Sequence, residues 1–402
     1  MRLLLLSFNW VEYQIQMANA LAALGHRCEV IFKTSRVRES VGDALPRLLD
    51  PAVRWHLLDD RPWGFRDPRQ WLAVMRLIRL MRRAAPDVLL LHEATTTYLP
   101  FCLDRAGGMP ILLTVHDVAT HPGADSREPA RRDRVRRDLR RRAAAVVVHG
   151  EALRGEYLAQ APDGAGAAEV HAIPHGCYTV LRHWARPGVQ EIPRSVLFFG
   201  RIHEYKGLEY LLRAAAIAAA RVSDLKVIIA GDGADLEGRL REVLSNPRCT
   251  VHRGYLANDR VAEIFQQASI VVLPYIEGSQ SGVVRIAYVF GKPVIVTRVG
   301  SIPESVREGV TGLVVPPRDE RALAGAMIAL LTDDARRAAM ARAAGAMTDG
   351  ELSWATVARR TVPILERLAA GHSRAAGIVG SSRTAVLSSP ARRPAPTEGE
   401  ER

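Results

Sequence analysis

Short apolar runs alternate with stretches of helical period along most of the chain. Residues 3–6, 28–32, 88–91, 111–115 and 144–149 are near-continuous apolar runs. Between them, residues 14–24 and 71–83 repeat apolar positions at intervals of three and four. A strand that is apolar on both sides is one covered by helices on both faces, so this rhythm predicts parallel sheets. A weaker strand, 170–173, leads into Pro174-His175-Gly176. From Cys177 to Arg194 the periodicity stops, and Pro187, Gly188 and Pro193 mark a linker. The pattern then restarts. Strands are expected at 196–199, 226–230, 250–252, 270–273, 293–296 and 312–315, with helices such as 208–221 and 261–267 between them.

The fold class this predicts is α/β, with two tandem Rossmann-like doubly wound domains and a site in the cleft between their carboxyl edges. The expected boundaries are 1–185 and 186–370. Helices follow at 323–331, 335–343 and 354–368, the last expected to pack back toward the first domain. Residues 371–402 turn to Ser, Arg, Pro and Ala without an apolar stripe, which predicts a disordered tail.

Composition narrows the setting. With 402 residues, 48% apolar and 24% charged, the chain has material for two ordinary domains. Its four cysteines are scattered without metal-binding spacing, which fits buried thiols in a reducing compartment. The first apolar run is too short for a signal peptide, and none approaches the roughly 20 residues of a membrane span. The expected location is the cytoplasm, with a peripheral position on the inner membrane face as the further option. A net charge of +12 implies attraction to something anionic. No zinc finger or aromatic-studded basic sheet accompanies it, so nucleic acid is not expected as a partner. From Arg127 to Arg142, nine arginines face Glu128, Asp133 and Asp138. Two readings stay open there: a solvated helix laced with local ion pairs, or a contact with an anionic membrane surface.

The chemistry concentrates between Ser195 and Glu304. One strand ends in Gly200-Arg201, followed by Lys206-Gly207 and a helix. Another ends in Tyr275-Ile276-Glu277-Gly278-Ser279-Gln280-Ser281-Gly282 and a helix. In an open parallel sheet such loops share the carboxyl edge. Arg201 and Lys206 bring two cations there, and Ser281-Gly282 can offer backbone N–H groups at a helix start, a combination that suits a diphosphate. Glu277 adds an acceptor for sugar hydroxyls, which makes a nucleotide-sugar site the expectation.

These loops, in order with Ala230-Gly231-Asp232-Gly233, Arg253-Gly254-Tyr255, Phe290-Gly291-Lys292-Pro293-Val294-Ile295 and Gly300-Ser301-Ile302-Pro303-Glu304, resemble the family 4 retaining glycosyltransferases of the GT-B fold. The resemblance covers roughly residues 1 to 370 and implies an acceptor-binding first domain and a nucleotide-sugar-binding second. It implies transfer of a hexose-type sugar from a UDP- or GDP-linked donor to a glycan or lipid-linked glycan acceptor, in surface or exopolysaccharide assembly. It also implies roles: Arg201 and Lys206 on the donor diphosphate, Glu277 on the donor sugar, Gly200 and Gly231 in the donor loops, and Ser281, Gly282 and Val283 under the phosphates. Thr114-Val115-His116-Asp117 resembles the strand end whose histidine lines the sugar site, so His116 is the fourth candidate catalytic residue.

Two departures stand out. The family's second glutamate, which holds the ribose, is replaced by Ile286, and Glu277 lies nine residues before that position instead of eight. The first loop, Ser7-Phe8-Asn9-Trp10, lacks the glycine pair common in relatives. No Asp-x-Asp is present to anchor a metal on the diphosphate, so metal-independent action without a cofactor is expected. A catalytically silent nucleotide-sugar binder, and an epimerase or hydrolase on the same fold, remain alternatives, because fold alone does not choose among them.

Overall fold

A computed structural model describes residues 1–59, 67–118, 130–160 and 168–385. The first sheet is built from β1 (Arg2–Leu6), β2 (Arg27–Lys33), β3 (Arg54–Leu58), β4 (Val88–His92), β5 (Ile111–Thr114), β6 (Ala145–Val148) and β7 (Glu169–Ala172). All are parallel, in the order β3-β2-β1-β4-β5-β6-β7. The second sheet holds β8 (Ser195–Phe199), β9 (Lys226–Gly231), β10 (Cys249–Arg253), β11 (Ile270–Leu273), β12 (Val294–Thr297) and β13 (Gly312–Val315). It too is parallel, in the order β10-β9-β8-β11-β12-β13. Each sheet therefore reverses its strand order once, between β1 and β4 and between β8 and β11. Those switch points open crevices at the carboxyl ends of the strands.

The apolar runs become central strands because both faces are covered. Leu4 and Leu6 pack on one side of the first sheet with Val74, Ile78 and Leu103, while Leu3 and Leu5 pack on the other with Ile15, Leu21 and Val357. The second sheet repeats this: Val196 and Phe198 face one helix layer, Leu197 and Leu273 the other. Some helix starts are fixed by side chains. Asp67 accepts from the Arg69 N–H at 2.8 Å ahead of Pro68, and Asp319 accepts from the Ala322 N–H at 2.8 Å; such caps contribute about 1 kcal/mol each.

Three features differ from the sequence reading. β3 was not expected. Its Arg54-Trp55-His56 half is mostly exposed, as suits an edge strand, so it lacks the apolar run that marks the central ones. The stretch from Cys177 to Arg194 is not purely a linker. It contains a 3-10 helix, Thr179–Trp184, and buries Cys177, Val180 and Leu181 in the second domain's core. Finally, the last helix runs Trp354–Ala385, so helix extends past the expected start of the tail at 371; residues 386–402 lie outside those described. That helix packs on the first domain, burying Trp354, Val357, Ala358, Ile364 and Leu365 in its core. The chain thus crosses between domains twice. The crossings are tied together where the Cys177 N–H donates to Leu352 O at 2.9 Å and the Trp354 indole N–H donates to Cys177 O at 2.6 Å.

Candidate active site

The carboxyl edge of the second sheet is formed by two interlocked loops. Gly200 directly follows β8, and β9 ends at Gly231 with φ +138°. A Cβ there would lie 1.9 Å from the Gly200 carbonyl oxygen, so only glycine lets the two strand ends meet. Gly207, at φ +70°, brings the β8 loop against the β11 loop in the same way: its Cβ would stand 2.0 Å from Pro274 O. The Ile276 N–H donates to Tyr205 O at 2.9 Å, closing the seam. Gly200 also sits beside the next helix, Gly282–Val289, with its would-be Cβ 4.0 Å from a Val283 methyl.

Arg201, Lys206, Glu277 and the start of that helix therefore share one edge. Arg201 and Glu277 are exposed. Among the described residues, neither side chain has a hydrogen-bond or ion-pair partner. The Lys206 ammonium lies 3.8 Å over the Tyr275 ring and 5.1 Å from that of Tyr205, which holds it in place while leaving its three N–H donors available. Ser281 caps the helix, accepting from the Val283 N–H at 3.3 Å, and its hydroxyl is 3.2 Å from that of Tyr275. A helix start beside two cations whose N–H donors have no acceptor among the described residues favours an anion with several oxygens. Ile286 is half-buried against the second domain's core. Its side chain offers packing where relatives place a ribose-binding acid.

The first domain's carboxyl edge is different. His92 ends β4, and His116, His149 and His175 follow β5, β6 and β7, so four successive strands each deliver an imidazole to one place. All four rings are buried. His149 Nδ1 is 3.1 Å from Ile173 O, His149 Nε2 is 3.2 Å from His116 Nδ1, and His116 Nε2 is 2.8 Å from His92 Nδ1. For neutral rings this fixes every tautomer. A carbonyl can only accept, so His149 Nδ1–H donates to it, His116 Nδ1–H donates to His149, and His92 Nδ1–H donates to His116. His175 follows the same logic, donating from Nδ1 to Gly176 O at 2.6 Å and accepting from the Tyr178 hydroxyl at 3.2 Å. Burial keeps the rings neutral. It pushes His92 down to about 3 and His149 to about 4, and lowers His116 and His175 with help from neighbouring rings. Trp10 stacks on His116 with ring centroids 3.9 Å apart.

His116 is accordingly placed otherwise than expected. Both its nitrogens are engaged by other histidines and one face is covered by Trp10, so no ring nitrogen is left for a sugar hydroxyl. No motif in the sequence announces that His149 and His175 join His92 and His116 in one cluster. The signal was their common position at the ends of adjacent strands, which becomes visible only when the strands are aligned. Arg285 was missed as well. It is buried within the Gly282–Val289 helix, donating to the Ser305 hydroxyl at 2.9 Å, while Nη1 has no partner among the described residues. Burial lowers its basicity.

The two edges meet through Tyr178, whose ring lies 3.2 Å from where a Gly282 Cβ would be, and which reaches His175 on its other side. Around this cleft Gln16 accepts from the Thr179 hydroxyl at 2.6 Å and from the Val180 N–H at 3.0 Å. The Asn258 amide donates to Ser40 O at 2.8 Å.

Two parallel α/β domains, one with a cationic carboxyl edge and the other with a packed one, form a two-domain Rossmann-like scaffold. Residues 11–176 match the family described as Glycosyl transferase 4-like domain, and residues 193–333 that described as Glycosyl transferases group 1. The chain belongs to the family 4, group 1 glycosyltransferases. It is similar to the D-inositol 3-phosphate glycosyltransferase of an Arthrobacter strain, 28% identical over 378 residues that cover 87% of this chain and 88% of that one. It spans about half the length of the first curated relatives it matches, 46% and 45%. Among solved structures, sucrose-phosphate synthase from Thermosynechococcus elongatus shares the fold with a TM-score of 0.68, 20% identity, and coverage of 92% of this chain and 99% of that one. An Anabaena protein, HepE, solved with UDP-glucose, superposes with a TM-score of 0.65 at 18% identity, covering 91% and 99%. No described helix is long and apolar enough to cross a membrane.

Proposed function

We propose that this chain transfers a hexose-type sugar from a UDP- or GDP-linked donor to a hydroxyl of a glycan or lipid-linked glycan, with retention of anomeric configuration. The observation that carries the reading is the interlocked edge where Arg201 and Glu277, without side-chain partners among the described residues, stand beside Lys206 and the Gly282 helix start. In this reading the bond between the anomeric carbon and the diphosphate oxygen breaks, and Arg201 and Lys206 stabilise the charge that develops on the leaving group. The acceptor oxygen bonds to the same face of the anomeric carbon, and its proton passes to the departing phosphate oxygen. Cationic side chains and the helix start answer the phosphate charge, so no metal or cofactor is required. Glu277 orients the sugar hydroxyls. The HepE complex with UDP-glucose supports a uridine donor on a related fold.

The acceptor is read as part of surface or exopolysaccharide assembly, at the cytoplasmic face of a membrane. Supporting this, Trp71, Leu72 and Met75 are exposed on the helix Pro68–Ala84, beside exposed Arg76 and Arg79. The basic segment Arg127 to Arg142 is described from Ala130 onward, and part of its charge is answered locally. Arg140 pairs with Glu93 at 2.6 Å, and Arg142 with Asp104 at 2.5 Å and Asp138 at 2.6 Å. Arg132 and Arg134 stay exposed for an anionic surface. Ile286 gives specific support to a second reading, a nucleotide-sugar binder without transfer. One experiment separates the readings: turnover of a panel of UDP-, GDP- and ADP-sugars, with and without glycan and lipid-linked acceptors. Acceptor-dependent release of nucleoside diphosphate supports transfer, whereas binding without release supports the second reading.

A further inference from the structure

Glu304 lies in the second domain, yet its carboxylate is spent on the first. Oε2 accepts from the Glu151 N–H at 2.8 Å and Oε1 from the Ala152 N–H at 2.9 Å, so Glu304 caps the helix Glu151–Gln160 across the cleft. The opening amides of a helix lack intrahelical acceptors and favour a carboxylate. This cap is unusual in coming from another domain, since the capping position would ordinarily be filled by the residue just before the helix. That residue is Gly150, which has no side chain to offer. A Cβ there would lie 2.5 Å from Ser301 Cβ and 2.8 Å from Glu304 Oε2. The first domain thus leaves its own cap absent and makes room for the second domain's.

The loop that carries Glu304 rests on the donor loop. The Ser301 N–H and hydroxyl both donate to Ser279 O, at 2.9 and 2.8 Å. Gly300, at φ +50°, approaches so closely that a Cβ would lie 2.0 Å from Gly278 O. Gly278 and Ser279 directly follow Glu277. The capping contact is therefore three residues and two hydrogen bonds from the segment that positions the sugar-orienting carboxylate. It exists only while the domains are together, because the donor amides belong to the first domain and the carboxylate to the second.

We propose that Glu304 is a positioning residue that couples interdomain closure to the Glu277 loop, with the Glu151–Gln160 helix start as its receptor. The proposal rests on the transferase reading for its kinetic consequence but not for its conformational one. Glu304 makes no contact in the diphosphate corner, so nucleoside diphosphate affinity does not depend on it.

The test uses the full chain with Glu304→Ala, Glu304→Asp and Gly150→Ala, the last removing the room for the cap while residue 304 stays a glutamate. Three quantities are read: UDP or GDP affinity by calorimetry, kcat and KM for transfer, and radius of gyration by X-ray scattering with nucleotide bound. Loss of two charge-assisted hydrogen bonds from the closed form predicts a fall of about ten- to a hundredfold in kcat for Glu304→Ala and Gly150→Ala. Nucleotide affinity should stay within about twofold of wild type, and the radius of gyration should increase. Glu304→Asp should recover part of the kcat, since a carboxylate is kept. Wild-type kcat and dimensions in both disrupting variants would overturn the proposal. So would a loss of nucleotide affinity matching the loss of kcat, which would make Glu304 a donor ligand. If the wild-type chain binds nucleotide but transfers nothing, the transferase reading falls, and the scattering comparison alone decides whether the contact holds the domains closed.

Discussion

The carboxyl edges of the two sheets share a geometry but not a chemistry. In the second domain, β8 and β11 end in glycine-bearing loops that leave Arg201 and Glu277 exposed and without partners among the described residues. In the first, β4 to β6 end in imidazoles that bond to one another, His175 after β7 bonds to Gly176 O and the Tyr178 hydroxyl, and Trp10, Tyr13 and Trp354 pack against the cluster. One edge holds charge in readiness for a ligand; the other is a finished polar core that shapes a wall. The contrast shows that a titratable side chain at a strand end is not by itself a site residue. What separates the two cases is whether its polar atoms already have partners. A buried polar network is tolerable only when its members are satisfied, and the histidine tautomers are ordered so that each donor meets an acceptor.

If the open edge carries the reaction, its cations matter most. Arg201→Ala and Lys206→Ala are each expected to lower turnover by about a hundredfold or more, as removal of a preorganised charge donor does elsewhere. Steady-state kinetics with a reactive donor sugar measures this, and wild-type rates in both would break the comparison at its stronger end. Glu277→Ala should lower transfer by about ten- to a hundredfold while nucleoside diphosphate still binds, because the unmade hydrogen bonds are to the sugar. Unchanged turnover would reduce Glu277 to a loop acid.

The closed edge should reveal itself through stability and pH. The four imidazoles are neutral when folded, with His92 at about 3 and His149 at about 4, against an ordinary 6.5 in the unfolded chain. Below about 6.5 the unfolded chain takes up protons that the folded one does not, so stability is complete above that pH and falls as the pH drops toward 4. The slope is about 1.4 kcal/mol per pH unit for each such ring. Urea melts between pH 7 and 4.5 would show it, and replacing His149 with an apolar residue should flatten the curve. A flat wild-type profile would mean that the rings are hydrated. The smallest expected effect is that of EDTA, which should leave transfer unchanged because side chains answer the phosphate charge; loss restored by magnesium would contradict this.

Much of the architecture was legible in the sequence because buried parallel strands announce themselves as apolar runs. Central strands such as β8 and β11 fell where the pattern put them, while β3 escaped because edge position lets it carry Arg54 and exposed Trp55. The second domain's corner was legible for a local reason. Gly200-Arg201, Lys206-Gly207 and Ser281-Gly282 are short segments whose conformational needs are written in adjacent residues. The histidine cluster was not, since His92, His116, His149 and His175 are separated along the chain and meet only through strand register. Glu304 was visible as part of a motif, but its partner amides at Glu151 and Ala152 belong to the other domain and carry no side-chain signal.

The central claim is that donor charge is held at the second domain's edge alone. Calorimetric titration of UDP and GDP into the wild type, the Arg201→Ala/Lys206→Ala double variant and His116→Phe tests it most directly. The account predicts that one of the two nucleotides binds the wild type, that the double variant weakens it by about a hundredfold or more, and that His116→Phe leaves it within a few-fold. Equal binding by the double variant, or a collapse of affinity in a folded His116→Phe, would contradict it.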